Sequence, residues 1–589
     1  MARLTKFSPT FTVVLALSLV AYPASAVTTL AEGAPGKQTD VEGTGFDLGS
    51  TVYGRFLAAL HAEAAGNFVA AADITADIIA HMRDYGKIKR RAHLLMVSAG
   101  RLDTASEIAR DVLKDSPGDP LSAYTLYVDA VRDGRFQDAL ALLTDVPDIG
   151  VNPITKPLLR AWALAGAGKT DEAIAGLDPL ATKQGLGPIA GFHQGLIADL
   201  AGDTEQASAA FGRTLESAQG QPSLQLVESY GRFLVRQGRD VEAQILVDTF
   251  RAKNPKTLLI EPTQKAVSGA APPERVIANN ADGVAEVLRN VSGLLNRERL
   301  RTEALLFLRM SLGLDPDNPT ALFSLGQLLE ARERNDLALE VYRKIADDTP
   351  YHWYARLSIA DALHADKDTE SAIAILRKMI DERKDRADAA RTLADLLRID
   401  RQFEEAVEVY DLAYERTDGR KDWSLLYTRG IALERAKKWD RAEKDFLGAL
   451  EIEPEQPLVL NYLGYSWVEQ GINLEQAKAM IETAVAKRPD DGYITDSLGW
   501  VLYRLGSYEE AVPIMERAVA LEPGDPVIND HLGDVYWSVG RKNEARFQWD
   551  RALTLKPDPD VEAEIRKKIS GEEVPEPLPP GKKRTSDTP

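Results

Sequence analysis

Seven histidines are the residues best suited to metal or acid–base chemistry: His61, His81, His93, His193, His352, His364 and His531. None pairs with another at helical spacing and no HExxH occurs, so a zinc site has no ligand set to start from. Cysteine is absent, which removes thiolate metal sites, iron–sulfur clusters, disulfides, cysteine nucleophiles and lipid attachment through an N-terminal cysteine. There is no GxSxG elbow, and no GxGxxG follows a strand. Gly166, Ala167, Gly168, Lys169 and Thr170 look like the end of a phosphate loop. They lack its upstream glycine and follow a helical pattern, so they read as a turn between helices. The pairs Glu404–Glu405 and Glu509–Glu510 open helical segments, where negative charge suits the helix dipole. The expectation is a protein that is not an enzyme, with no cofactor and no metal.

The elements that carry these residues are helical and repetitive. The chain has 589 residues, 44% of them hydrophobic, with 90 acidic against 71 basic side chains. A formal charge of −19 argues against nucleic acid, which needs concentrated Lys and Arg. Arg3 and Lys6 precede an apolar run at 11–22, and Ala24, Ser25 and Ala26 complete a signal peptide expected to be cleaved after Ala26. Such a run is too short to cross ~30 Å of hydrocarbon, so export to the periplasm is expected, with no transmembrane segment in the mature chain. Residues 27–49 and 571–589 are Gly- or Pro-rich and polar, and read as disordered.

A beat of 34 residues runs through the rest. Gly326, Ala360, Ala394, Gly430, Gly464, Gly499 and Gly533 form one series, and Ala338, Ala372, Ala406, Ala442, Ala477, Ala511 and Ala545 follow twelve residues behind. Ala304 extends the second series backwards, and Ala71, Ala105, Ala139, Ala173, Ala207 and Ala243 repeat it upstream. Prolines 316, 350, 454, 489, 523 and 557 keep the same interval. From Ala243 to Ala304 the beat skips, and the surplus falls in 254–283. The expected order is six degenerate units over 50–255, an irregular linker or hinge at 256–280, and eight units over 281–557. A capping helix at 558–570 follows, on Val561, Ile565 and Ile569.

Two helical patterns per 34 residues, with Leu463–Gly464, Ala477, Ile481, Ala484 and Pro489 in the 457–490 unit, resemble the tetratricopeptide repeat family. The resemblance implies an all-α superhelical solenoid of about fourteen helix pairs in two arrays. Small residues on both helices let the pair cross closely, and Tyr342, Leu376, Tyr410 and Phe446 fill the remaining space. Gly471, Gly506 and Gly540 suit a left-handed stop after the first helix.

Family positions on the first helix line a concave binding face. Carried onto this sequence, they nominate a partner-binding groove of Asn461, Tyr465, Tyr493, Asp496, Trp500, Tyr503, Arg504, Asp530, Asp534 and Trp537, with Val468 and Glu469 beside them. Aromatics there suit binding hot spots, and the carboxylates suit a basic or amine-bearing protein or peptide. Arg504 alone does not make the cationic clamp of chaperone-binding members. The stretches LVLNYLGYSWVEQG, DDGYITDSLGW, YRLGSYEEAV and PVINDHLGDVYWSVGRKNEARFQW are similar to exported alphaproteobacterial envelope tetratricopeptide proteins. More distantly they are similar to adaptors of carboxyl-terminal processing proteases. That resemblance implies an envelope scaffold whose partners include a protease or cell-wall hydrolase. A structural component of a secretion or polysaccharide-export assembly, or a carbohydrate-binding protein, is the alternative.

Overall fold

The structure, a computed structural model, describes residues 52–81, 88–417 and 419–572. The expected signal peptide at 1–26, the 27–49 segment and residues 573–589 of the expected tail lie outside the described residues. Fourteen helix–turn–helix pairs succeed one another among the described residues, from Val52–Ala64 with Phe68–His81 to Pro526–Ser538 with Lys542–Thr554. No strand interrupts them.

The sterics of the pairing are plain at the beat positions. Every alanine of the second series, upstream and downstream, is 0% exposed, because it sits at the helix crossing. A Cβ on Gly430 would fall 2.7 Å from the Phe446 ring, and one on Gly464 would fall 2.9 Å from Ile481 Cγ1. The same overlap awaits a Cβ on Gly326 at Tyr342, on Gly499 at Met515 and on Gly533 at Trp549. Glycine on the first helix and a large residue on the second therefore form one matched pair in each of these five units. Eight of the first helices start at side-chain caps, as where Asp491 accepts from the Ile494 amide. They stop at residues with positive φ: Gly471, Gly506 and Gly540 lie at 69°, 81° and 82°. Gly168 has φ 79° in the turn between Asn152–Gly166 and Thr170–Ala175, so the Gly–Lys–Thr stretch is an inter-helix turn.

The helices group into two compact units, 1–367 and 368–589. The boundary falls beyond the 256–280 segment. That segment, expected as an irregular linker or hinge, contains the helix Glu261–Val267, and Leu258, Ile260, Ala266, Val267 and Ile277 are buried. The Leu258 amide donates to Tyr354 Oη at 3.0 Å, and Arg275 pairs with Asp199 at 3.2 Å. Apolar residues spaced too irregularly to advertise a helix still anchor it.

In the first unit, the pair Asn280–Arg297 and Arg301–Leu314 packs on three earlier first helices, Lys89–Ser98, Pro120–Arg132 and Asn152–Gly166. Tyr124 meets Phe307 at 5.9 Å, and Arg309 Nε donates to the Ser98 carbonyl at 3.1 Å. A Cβ on Gly283 would overlap the Trp162 indole, and one on Gly313 would overlap Leu102. The second unit ends in Pro559–Ser570, whose Ile565 is fully buried against Leu532, Trp549 and Ala552.

Candidate partner-binding groove

The concave faces of the two units differ in access. First helices at 89–98, 120–132 and 152–166 turn their inner faces to the 280–314 pair, so the chain fills its own groove there. The candidate residues all lie in the second unit, on Pro457–Gln470, Gly492–Arg504 and Pro526–Ser538.

Their surroundings divide them into two clusters. In the first, Trp500 lies between Tyr503, at 4.7 Å, and His531, at 4.0 Å, with nearly parallel planes. Its Nε1 donates to Glu469 Oε1 at 2.6 Å. His531 Nδ1 donates to both Asp496 oxygens at 3.0 and 3.1 Å. Burial alone would lower the imidazole pKa; the Asp496 carboxylate, with Asp530 and Asp534 beyond it, reverses this and pushes it up to about 9. Tyr465 stands near Glu469, Asp496, Arg504 and Arg435, and burial drives its pKa well up, so it remains a phenol.

In the second cluster, Lys568 of the final helix donates to both Asp530 oxygens, at 2.9 and 2.8 Å, and to Asp534 Oδ2 at 2.9 Å. Trp549 Nε1 donates to Asp534 Oδ1 at 3.0 Å. Desolvation works against the Lys568 charge, but the two carboxylates more than restore it. Trp537 is half-buried beside Trp549, and Lys542 Nζ stands 3.4 Å from its ring centroid.

This overturns part of the sequence-based picture. Asp496, Asp530 and Asp534 are buried, as is Tyr503. Two cations, His531 and Lys568, pair with the three buried carboxylates within the chain, so these side chains do not stand open to a basic partner. What remains accessible is Tyr493, 56% exposed, and the half-buried Asn461, Tyr465, Trp500, Arg504 and Trp537. Two of these carry unsatisfied atoms. Asn461 Oδ1 and Arg504 Nε are buried without hydrogen-bond partners, and the Arg504 guanidinium reaches Glu469 only at 3.7 Å. Buried polar atoms left unpaired are costly.

Arg435, at the place equivalent to Arg504 two units earlier, and Arg398, one residue off that register, extend the groove. Arg435 lies against Tyr462 and Tyr465, and Tyr462 meets Tyr427 edge-on at 6.0 Å. Arg398 donates to Tyr410 Oη at 3.2 Å and also lies near Tyr427. Arg398, Tyr427, Tyr462, Arg435, Tyr465 and Arg504 thus form a continuous arginine–tyrosine strip. The register that nominated Arg504, carried two units back, picks out Arg435 by the same rule. Nothing in the sequence marks Lys568 as the partner of Asp530 and Asp534.

Comparison with known proteins agrees with this architecture. A tetratricopeptide repeat family model matches residues 303–352 and 472–526. A TPR repeat-containing protein of Pseudomonas aeruginosa is 36% identical over 86 residues; the match covers 15% of this chain and 15% of that protein's length. Among solved structures, a chain of the APC/C hetero-tetramer Cut9–Hcn1 is 14% identical with a TM-score of 0.38, covering 82% of this chain and 96% of that one. YrrB, described as a TPR protein with an unusual peptide-binding site, is 22% identical with a TM-score of 0.26, covering 33% and 97%. Residues 303–352 and 472–526 are thus matched as tetratricopeptide repeats, and helical pairs of the same order run through the other described residues.

Proposed function

We propose that this chain is an exported envelope adaptor that binds an extended segment of a partner protein along the concave face of its second unit. The observation that carries the reading is the pair of unsatisfied buried atoms on adjacent first helices, Asn461 Oδ1 and Arg504 Nε, beside Tyr465 and Trp500. A peptide main chain offers an N–H to the first and a carbonyl or carboxylate to the second. Phenols of Tyr427, Tyr462 and Tyr465 add donors and flat apolar area at low entropic cost. The filled concave face of the first unit supports placing the partner in the second. Export rests on Arg3, Lys6, the 11–22 apolar run and Ala24–Ser25–Ala26.

The experiment is a pull-down from envelope extract with the mature chain and with an Asn461→Ala/Arg504→Ala variant. Partner proteins retained by the first and lost from the second support the reading. Equal recovery by both removes the groove from it. A chain recovered from cells only with Met1 intact removes export; Val27 is the expected first residue.

A further inference from the structure

The first unit holds a chamber of about 360 Å³ that the filled groove leaves open. Its walls come from Leu224–Arg236, Glu261–Val267, Asn280–Arg297 and Pro350–Ala365, with Phe192 and Leu259 as apolar lining. Two neighbours on the first of these helices are anomalous. Glu228 lines the chamber, and no hydrogen bond reaches its carboxylate among the described residues. Ser229, beside it in the wall, is 5% exposed, and its Oγ has no hydrogen-bond partner. A carboxylate and a hydroxyl left unpaired side by side at a cavity wall are both acceptors lacking a donor.

The other polar groups are already engaged. Arg289 pairs with Glu286, which also accepts from Asn290 Nδ2 at 3.0 Å. Asp282 accepts from the Ala278 and Asn279 amides, and Asp315 accepts from Asn318 Nδ2 at 2.9 Å. Asp348 lies exposed at the rim. Of the lining side chains only Arg289 is cationic, against five carboxylates. Burial pushes the Glu228 carboxyl up to about 7, despite the pull of Arg232 on its own helix and Arg289 across the chamber. The fold places an acid in the wall and leaves it without a counter-ion in contact.

We propose that this chamber receives one guanidinium or alkylammonium group, held by Glu228 and Ser229 Oγ. The source is either an arginine or lysine side chain of a partner or a small free amine. The site is independent of the groove in the second unit, so each stands or falls alone. A cation there favours ionised Glu228 and releases its proton. The charged and titratable groups around that carboxyl are Arg232, Asp282, Glu286, Arg289, Asp315, Asp348 and the Tyr351 phenol. Affinity therefore rises from pH 5 to about 7 and levels off above it.

The test titrates the full mature chain with Ac-Gly-Arg-Gly-NH2, Ac-Gly-Lys-Gly-NH2, agmatine and cadaverine, with Ac-Gly-citrulline-Gly-NH2 as the uncharged control, by ligand-observed NMR and calorimetry. Saturable binding of a cationic probe, weakened at least tenfold in Glu228→Gln and several-fold in Ser229→Ala, supports the proposal. Peptides binding without the free amines assigns the site to a partner side chain; free amines binding equally well assigns it to a small molecule. Glu228→Gln removes a buried charge and keeps the shape, so its melt is expected to hold. Citrulline binding as well as arginine, no saturable binding by any probe, or affinity unchanged in Glu228→Gln overturns it.

Discussion

Trp500 lies flat on the imidazole of His531, with ring centroids 4.0 Å apart and planes inclined by 13°. The indole face is electron-rich, and the imidazole edge donates to Asp496, so both contacts favour the protonated ring. A residue nominated for a partner is thus also the cover of a buried ion pair. Packing and binding share one side chain.

That pair makes stability depend on pH. The folded pKa of His531, about 9, stands above its ordinary 6.5, so its contribution is complete below pH 6.5 and is lost as pH rises through 9. The size is about 2 kcal/mol after allowing for relaxation of a buried pair. Melts of the chain between pH 6 and 10 are expected to fall across this window. In His531→Gln that part of the slope disappears. A variant with the parental slope would show that the imidazole is neutral in the fold.

The glycine–large-residue match predicts unequal costs for the same change. In Gly533→Ala the new methyl meets the Trp549 indole, fixed in place by its bond to Asp534. In Gly499→Ala it meets Met515, whose thioether swings aside. Denaturant melts should show a loss of about 2–3 kcal/mol for the first and about 1 kcal/mol or less for the second. Equal losses would mean that crossing distance, not the facing side chain, sets the cost.

These local rules explain what the sequence made legible. Gly464 with Ile481, or Gly430 with Phe446, lie within one unit, so a fixed interval betrays them. The left-handed stops could have been read further than they were: Gly66, Gly100, Gly134, Gly168, Gly202 and Gly238 all have positive φ at the same beat. Contacts between distant units leave no such trace. Arg309 and Ser98 are 211 residues apart, and nothing periodic announces that the 280–314 pair fills the groove of the early units. The same holds for Lys568 and Asp530, 38 residues apart. Asp530 and Asp534 were offered to a basic partner because their counter-charge, Lys568, comes from outside the repeat register.

Lys568 gives the third prediction. Lys568→Ala leaves Asp530 and Asp534 buried together without a cation, in a place where burial already raises the Asp534 pKa. The expected loss is about 3 kcal/mol at neutral pH, shrinking as pH falls and the carboxyls protonate. Adding Asp530→Asn and Asp534→Asn should recover most of it. If Lys568→Ala melts like the parent at pH 7, the final helix does not hold this place in solution.

The last prediction separates recognition from packing in the groove. Arg504 touches Glu469 only at 3.7 Å, and Glu469 is exposed, so the pair contributes little to folding. Arg504→Ala is therefore expected to change stability by about 0.5 kcal/mol or less while weakening the captured partner by about 2 kcal/mol, a loss of roughly thirtyfold. Trp500→Ala behaves otherwise. Removing the indole uncovers His531 and Asp496 and strips the stack from Tyr503, so the melt falls by about 2 kcal/mol before any partner is added. Calorimetric binding measured below the melting transition then reads its contact with the partner alone. Glu469→Gln adds the sign of the charge: if the partner presents a carboxylate to Arg504, this variant binds more tightly, and a partner presenting a cation is lost instead. Full binding by Arg504→Ala would move recognition up the strip to Arg398 and Arg435, where the same pair of measurements applies.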